Sequence, residues 1–253
     1  MLHRYLLIGS LSLLFSFVSC QPTSKTTDPS IESKIEKILS EMTLKEKIGQ
    51  TCQITLDGVL KRDENNKVIE PIQIDSDKLK EAVVDYGLGS ILNVGSHTLT
   101  LEEWAYVMKN VHEPFLNKET KAPIIYGIDA IHGVTYTIGG TLFPQEIGLA
   151  ATWNPQMAEE FGGVVAYETR ASGIHWNFSP VLDLGRSPLW SRHFETLGED
   201  PLLATALGDA IVNGYQGKGK VDPFHVAACL KHFVGYSAPV SGRARTTAWI
   251  PAK

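Results

Sequence analysis

From residue 31 onward the apolar positions recur at a helical interval. Ile31, Ile35, Ile38, Leu39 and Met42 are spaced three or four residues apart, which gathers them on one face of a helix. The next four residues, "TLKE" at 43–46, carry Thr followed three places on by Glu, the pattern of a capping box. A second helix is therefore expected to start there and to turn Leu44 and Ile48 inward. "DKLKEAVVDYG" reads as a third helix, closed by Gly87. "GSILNV" is a short continuous apolar run, as a buried strand requires. "TLEE" at 100–103 is another capping box and opens the helix "LEEWAYVMKNVHEPF".

The alternation continues to the end of the chain. An apolar strand from Pro123 to Ile128 ends at Asp129. The next helix has Asn154 as its cap, Pro155 at its first position and Gly173 as its stop. "IHWNFSPVLDL" reads as a strand ending near Asp183, and Asp200, Pro201 and Gly217 bracket a further helix. The final strand is "VAACLKHF", residues 226–233. Continuous apolar strands alternating with helices predict an α/β fold, a parallel sheet covered by helices. Two architectures satisfy that pattern, an open doubly wound sheet or a (β/α)8 barrel. No glycine-rich phosphate loop of either common type follows an early strand. Polar residues instead collect at strand C-termini: Asp129, Asp183, then Lys231 and His232. That is the rim on which barrel enzymes build their sites. The expectation is a TIM-type (β/α)8 barrel, incomplete in this chain, with five or six of eight strands countable.

The first thirty residues break the pattern. "MLHRYLLIGSLSLLFSFVSC" has Arg4 near its start, an apolar run from Tyr5 to Val18, then Ser19 and Cys20. The run is short for a bilayer-spanning helix, which takes about 18 or more apolar residues. It reads as a signal peptide, residues 1–20, and its last four residues resemble a bacterial lipoprotein signal with Cys20 as the lipidated residue. "QPTSKTTDPS", residues 21–30, is polar and Pro/Ser/Thr-rich, as a flexible tether should be. Residues 31–253 then form the domain. This places the chain at the bacterial cell envelope, facing the periplasm or the cell surface, with the membrane as a partner through the lipid.

Composition narrows the remaining classes. The chain is 43% hydrophobic and 20% charged with a net charge of -5, which is globular and offers no basic surface for nucleic acid. Beyond Cys20 only Cys52 and Cys229 remain, too few for a disulfide framework. Cys229, inside "VAACL", reads as a small buried hydrophobe. No His/Cys cluster has zinc spacing, so neither a metal nor any other cofactor is expected.

Asp129, His132, Arg192, Lys231 and His232 together suit a ligand with many hydroxyls. A carboxylate accepts from several hydroxyls, while Lys and Arg donate. Trp190 or Trp153 is a candidate apolar face for a sugar ring. Each residue also has an ordinary use. Asp129 can cap a turn, Arg192 can pair with Glu195 or Glu199, and His232 can be a hydrogen-bonded core histidine. Lys231 alone also fits an aldolase-like Schiff base, a reading that leaves Asp129 and Arg192 without a task.

Three blocks carry a family resemblance: "YGIDAIHGVTYTIGGTLFPQEIGLAATWNP", "FSPVLDLGRSPLWSRHFETLGEDPLL" and "ACLKHFVGYSAPVSG". In order and spacing they resemble glycoside hydrolase family 3, over roughly residues 31–253. The resemblance implies a β-glucosidase or β-xylosidase, because the text after the last strand is "KHFVGYSAPVSG" rather than the "KHFPGHG" of members that remove N-acetylglucosamine. It implies that Asp129, Arg192, Lys231 and His232 bind the sugar at the cleavage point of a β-linked oligosaccharide. Departures are Ala244, where the family often has an acidic residue, and Ser191, which replaces a common glycine. Neighbouring strand residues point to opposite faces, so Lys231 and His232 can share one ligand only where the backbone is irregular. The resemblance implies a non-proline cis peptide there.

Retaining glycosidases need two carboxyl groups about 5 to 5.5 Å apart. The resemblance places the nucleophilic Asp on a later barrel strand and the acid/base beyond it, after residue 253. Asp183 reads as a turn former before Gly185 rather than as that nucleophile. The chain is accordingly expected to be an N-terminal fragment, inactive alone. The alternative is a non-catalytic sugar-binding surface lipoprotein that keeps the four binding residues.

Overall fold

The computed structural model describes residues 28–219 and 222–250, so the signal peptide, Cys20 and most of the tether lie outside the described residues. The chain divides after Ser40 into two units. The first carries most of helix α1, Pro29–Glu41, on which Ile31, Ile35 and Leu39 are exposed.

The second unit is built on five parallel strands: β1, Gln53–Thr55; β2, Ser90–Leu92; β3, Ile125–Ile128; β4, Trp176–Asn177; and β5, Ala227–Ala228. They pair in chain order, with Ile54 opposite Ile91, Ile91 opposite Tyr126, Gly127 opposite Trp176 and Trp176 opposite Ala227. Sequential parallel strands require crossovers. Helix α3, Ser76–Lys80 with a wider turn to Asp85, follows β1, and α4, Leu101–Leu116, joins β2 to β3. A short helix α5, Glu146–Ala150, and the longer α6, Pro155–Ala171, join β3 to β4. Helix α7, Pro201–Gln216, joins β4 to β5. Between β1 and α3 the chain makes an antiparallel excursion, bridging Leu60 to Ile74 and Arg62 to Val68.

The expected start and stop signals operate as chemistry. In the short helix α2, Leu44–Gly49, Glu46 N–H donates to Thr43 Oγ1 at 3.3 Å and Thr43 N–H donates to Glu46 Oε2 at 2.6 Å. Thr100 and Glu103 close the same box on α4 at 3.1 and 2.8 Å. Asn154 accepts from Met157 N–H and Asp200 from Leu202 N–H. Gly217 ends α7 with φ 55°, the left-handed conformation that glycine adopts without a Cβ clash.

Burial concentrates on one face of the sheet, where Ile91, Tyr126, Ile128 and Asn177 are buried, while Leu92 and Trp176 of the other face are half-buried. Ile91, Ile128, Ile174, Leu197, Leu207 and Ile211 are fully buried. Trp104 of α4 meets Tyr126 of β3 edge-on at 5.7 Å between ring centres. Helices α6 and α7 touch through glycine: a Cβ on Gly214 would lie 2.2 Å from the Glu159 carbonyl oxygen, and one on Gly162 would lie 2.6 Å from that of Ile211. Any larger residue there must push the helices apart.

One expectation fails at the sheet's margin. Leu44 and Ile48 are not turned inward; they are 73% and 56% exposed. Among the described residues β1 is an edge strand, and nothing covers this side of α2. Strand β1 itself lacks an apolar run, since Gln53 and Thr55 flank its only aliphatic residue.

Candidate functional site

The residues that follow the strands at their C-terminal ends meet in one cavity of about 650 Å³. Asp129, Arg192, Lys231 and His232 all line it. The geometry is built outward from β3. Asp129 comes directly after that strand, and both its carboxylate oxygens are held. Lys231 Nζ donates to Oδ1 at 2.5 Å, and Asn93 Nδ2 donates to Oδ2 at 2.7 Å. Asp129 N–H donates in return to Asn93 Oδ1 at 2.9 Å. Asn93 directly follows β2, and Tyr126 Oη donates to its carbonyl at 2.6 Å. The next residue is tied down as well: the fully buried Asn177 of β4 exchanges two hydrogen bonds with Ala130, at 2.9 and 3.0 Å.

Arg192 lies in the loop before α7. Its guanidinium forks onto Glu195, with Nε to Oε1 at 2.7 Å and a second nitrogen to Oε2 at 2.5 Å. These bonds raise the Arg192 pKa and hold the group charged. The ordinary use anticipated for Arg192 is therefore real, yet it does not remove the residue from the cavity. Its remaining terminal nitrogen, Nη1, donates to His232 Nε2 at 3.2 Å. The opposite ring nitrogen, His232 Nδ1, donates to Asp183 Oδ2 at 2.7 Å, and His232 N–H donates to the same oxygen at 3.0 Å. Arginine can only donate, so this network selects the tautomer with hydrogen on Nδ1.

Lys231 and His232 thus serve one cavity although they are adjacent in the chain. Regular strand geometry ends at Ala228. The peptides Lys231–His232 and Phe233–Val234 are cis, the irregular backbone that a shared ligand requires.

Glu146, at the start of α5, was not singled out by its sequence context. It is buried at 1% exposure. Val181 N–H donates to its Oε1 at 3.3 Å and its Oε2 at 3.1 Å, and Ser179 Oγ donates to Oε1 at 3.2 Å. Segment 179–182 in turn pairs with the Lys231 segment: Lys231 N–H donates to Pro180 O, and Leu182 N–H donates to Lys231 O at 2.7 Å. Glu146 therefore fixes the backbone on which Lys231 is hung.

Several expectations need correction. Asp183 is no simple turn former; it is 7% exposed and orients His232. Trp190 is 2% exposed, packed against Tyr236 behind Arg192, and offers no face to the cavity. Trp153 is 71% exposed and is not part of the lining. Trp176 of β4 lines the cavity instead, with Phe178 edge-on at 4.6 Å. Cys229 is half-buried and also lines it, so it is not a core hydrophobe. His132 lines the cavity, with Nδ1 donating to the Phe143 carbonyl at 3.1 Å. Among the described residues no group of three or more His, Cys, Asp or Glu is placed to hold a metal ion.

A rim of charged and hydrogen-bonding side chains at the C-terminal ends of parallel strands defines the class, a TIM-like β/α enzyme fold. Residues 43–252 match the glycosyl hydrolase family 3 N terminal domain, and the chain belongs to that family. It is 35% identical over 233 residues to a lysosomal beta glucosidase of Dictyostelium discoideum, covering 87% of this chain and 28% of that protein. It is 29% identical to a periplasmic beta-glucosidase of Salmonella typhimurium, covering 84% of this chain and 24% of that one. Among solved structures, the beta-glucosidase of Listeria innocua in complex with glucose superimposes with a TM-score of 0.65 at 33% identity, over 83% of this chain and 28% of that chain. A point mutant of the exo-1,3/1,4-beta-glucanase of a Pseudoalteromonas species gives 0.73 at 29% identity, over 88% and 35%. The chain thus spans about a quarter to a third of the length of these proteins.

Burial raises the Glu146 pKa well above its ordinary value of 4.5, against the opposing pull of the Val181 and Ser179 hydrogen bonds and the Lys231 charge. The folded chain then binds this proton more tightly than the unfolded chain. The resulting stability is complete below the ordinary carboxyl pKa and is lost as pH rises through the folded value. Glu146→Gln, which stays neutral, should flatten the decline in urea midpoint above about pH 4.5. An unchanged slope in a pH series of urea titrations would contradict the raised Glu146 pKa.

Proposed function

We propose that the cavity binds the terminal non-reducing sugar of a β-glucoside or β-xyloside, as part of a retaining, exo-acting β-glycosidase of family 3. The observation that carries this reading is the convergence of Asp129, Arg192, Lys231 and His232 on one cavity. Asp129 has oxygen lone pairs left after Lys231 and Asn93, and these can accept from sugar hydroxyls. Lys231 and the guanidinium of Arg192 supply donors. Trp176 supplies an apolar surface for the C–H face of a ring. Similarity to proteins described as beta-glucosidases supports the same reading, as does the structure of one of them with glucose.

The cavity's carboxylates are Asp129 and Glu195, and each is paired, with Lys231 and Arg192 respectively. An ion pair disfavours the protonated form that a general acid needs, and it orients the carboxylate toward its partner. Asp129 is therefore assigned to holding the sugar and Glu195 to holding Arg192, and neither to bond cleavage. The same pairing favours a second reading, a sugar-binding lipoprotein without catalysis. β-Glucosidase activity co-purifying with the natural gene product would support the enzyme over the binder, and its absence would support the binder.

The envelope location rests on the N-terminal pattern ending at Cys20, the lipid-bearing residue in this reading. Among the described residues no helix is long and apolar enough to cross a membrane. Radiolabelled palmitate should mark the chain expressed in bacteria and should fail to mark Cys20→Ala. Equal labelling of the two would remove the anchor.

Calorimetric titration with glucose tests the sugar site itself. The chain should bind glucose, and Asp129→Ala should weaken binding by about 10- to 100-fold, since loss of a charged hydrogen-bonding partner costs about 1.5 to 3 kcal/mol. The same preparation should hydrolyse an aryl β-glucoside no faster than buffer. Undiminished binding by Asp129→Ala would refute the assignment.

A further inference from the structure

The cavity also holds a cation that none of these pairings uses. Residues 239–248 form a hairpin in which Pro239 bridges Ala248 and Val240 N–H donates to Thr247 O at 3.1 Å. Inside it Ser241 Oγ and Thr246 Oγ1 are 2.8 Å apart, and Thr246 Oγ1 donates to Arg243 O at 2.8 Å. The tip rests on the loop that carries Arg192. Ser191 N–H donates to Gly242 O at 3.2 Å, and a Cβ on Gly242 would come within 2.8 Å of the Leu189 carbonyl oxygen. Arg245 sits in this tip with a left-handed backbone, φ 62°, and its side chain lines the same cavity as Asp129 and Lys231.

Charge pairing sets Arg245 apart. Lys231 pairs with Asp129 and Arg192 with Glu195. Those are the cavity's two carboxylates, so its lining carries three guanidinium or ammonium groups against two acids. Arg245 is in no ion pair among the described residues. It is also exposed, whereas Asp129, Arg192, Lys231 and His232 are half-buried. The inner groups therefore neutralise one another around one sugar, and the outer position keeps an uncompensated guanidinium. A planar fork of donors with weak hydration matches a carboxylate better than it matches neutral hydroxyls.

We propose that Arg245 is a specificity-determining residue that favours β-glucosides whose outer, leaving-group unit carries a carboxylate, as an aldonic or uronic acid does. This rests on the assignment of the inner four residues to the terminal sugar. Arg245 touches only the outer unit, so it does not contribute to binding of a single glucose.

Calorimetry of the 253-residue chain with glucose, cellobiose and cellobionate separates the possibilities. Cellobionate should bind about three- to fivefold more tightly than cellobiose at low salt, the worth of a solvent-exposed ion pair. Raising the salt should shrink the preference. Arg245→Ala should abolish it and leave glucose affinity unchanged, and Arg245→Lys should retain part of it. Equal affinity for the two disaccharides in the unmodified chain overturns the proposal while leaving the inner sugar site standing. So does a preference that survives Arg245→Ala, or a loss of glucose binding in that variant. Failure of the unmodified chain to bind any of the three sugars overturns the inner assignment and this inference together.

Discussion

The ion pair between Lys231 and Asp129 is the contact on which the site depends. The two residues are 102 positions apart in the chain, one following β3 and the other following β5. Their side chains are only 13% and 28% exposed. Removing two charges from water at such a place is expensive, and the attraction repays it only when the geometry is good and other hydrogen bonds satisfy the remaining atoms. Asn93 meets that condition by taking both Oδ2 and the backbone N–H of Asp129. The pair therefore requires β2, β3 and β5 to stand in register, and the sheet's order delivers that.

A second linkage runs beneath the first. Glu146 holds Val181, and the Val181 segment holds the backbone of Lys231. Asp183 continues from that segment and fixes His232, whose far nitrogen accepts from Arg192. Two buried acidic side chains thus do different work in one linkage. Glu146 positions main chain, while Asp183 orients an imidazole. The outcome is a set of side chains whose directions are fixed before a ligand arrives, which lowers the ordering cost of binding.

Much of the architecture was legible because it depends on local chemistry. The capping boxes at Thr43 and Thr100, the Asn154 and Asp200 caps and the stop at Gly217 act within a few residues, so their pattern survives in the linear text. The four sugar-binding candidates stood out because polar residues at the ends of apolar strands are conspicuous. What could not be read depends on partners distant in sequence. Asp183 looks like a turn residue until His232, 49 positions away, is brought to it. Asn93 and Glu146 have no local oddity at all. Neither Trp190 nor Trp153 faces the cavity, because aromatic character says nothing of direction: Trp190 is buried, Trp153 faces solvent, and Trp176 lines the cavity. Leu44 and Ile48 failed for a related reason, since helical periodicity identifies a face but does not guarantee that something covers it.

The most direct measurement is a crystal structure of the chain with glucose bound. One sugar is predicted in the cavity, with hydroxyls within hydrogen-bonding distance of Asp129, Arg192, Lys231 and His232, and with the Lys231–Asp129 and His232–Asp183 contacts intact. Glucose bound elsewhere, or Lys231 and His232 turned to opposite sides of the sheet, would contradict the account.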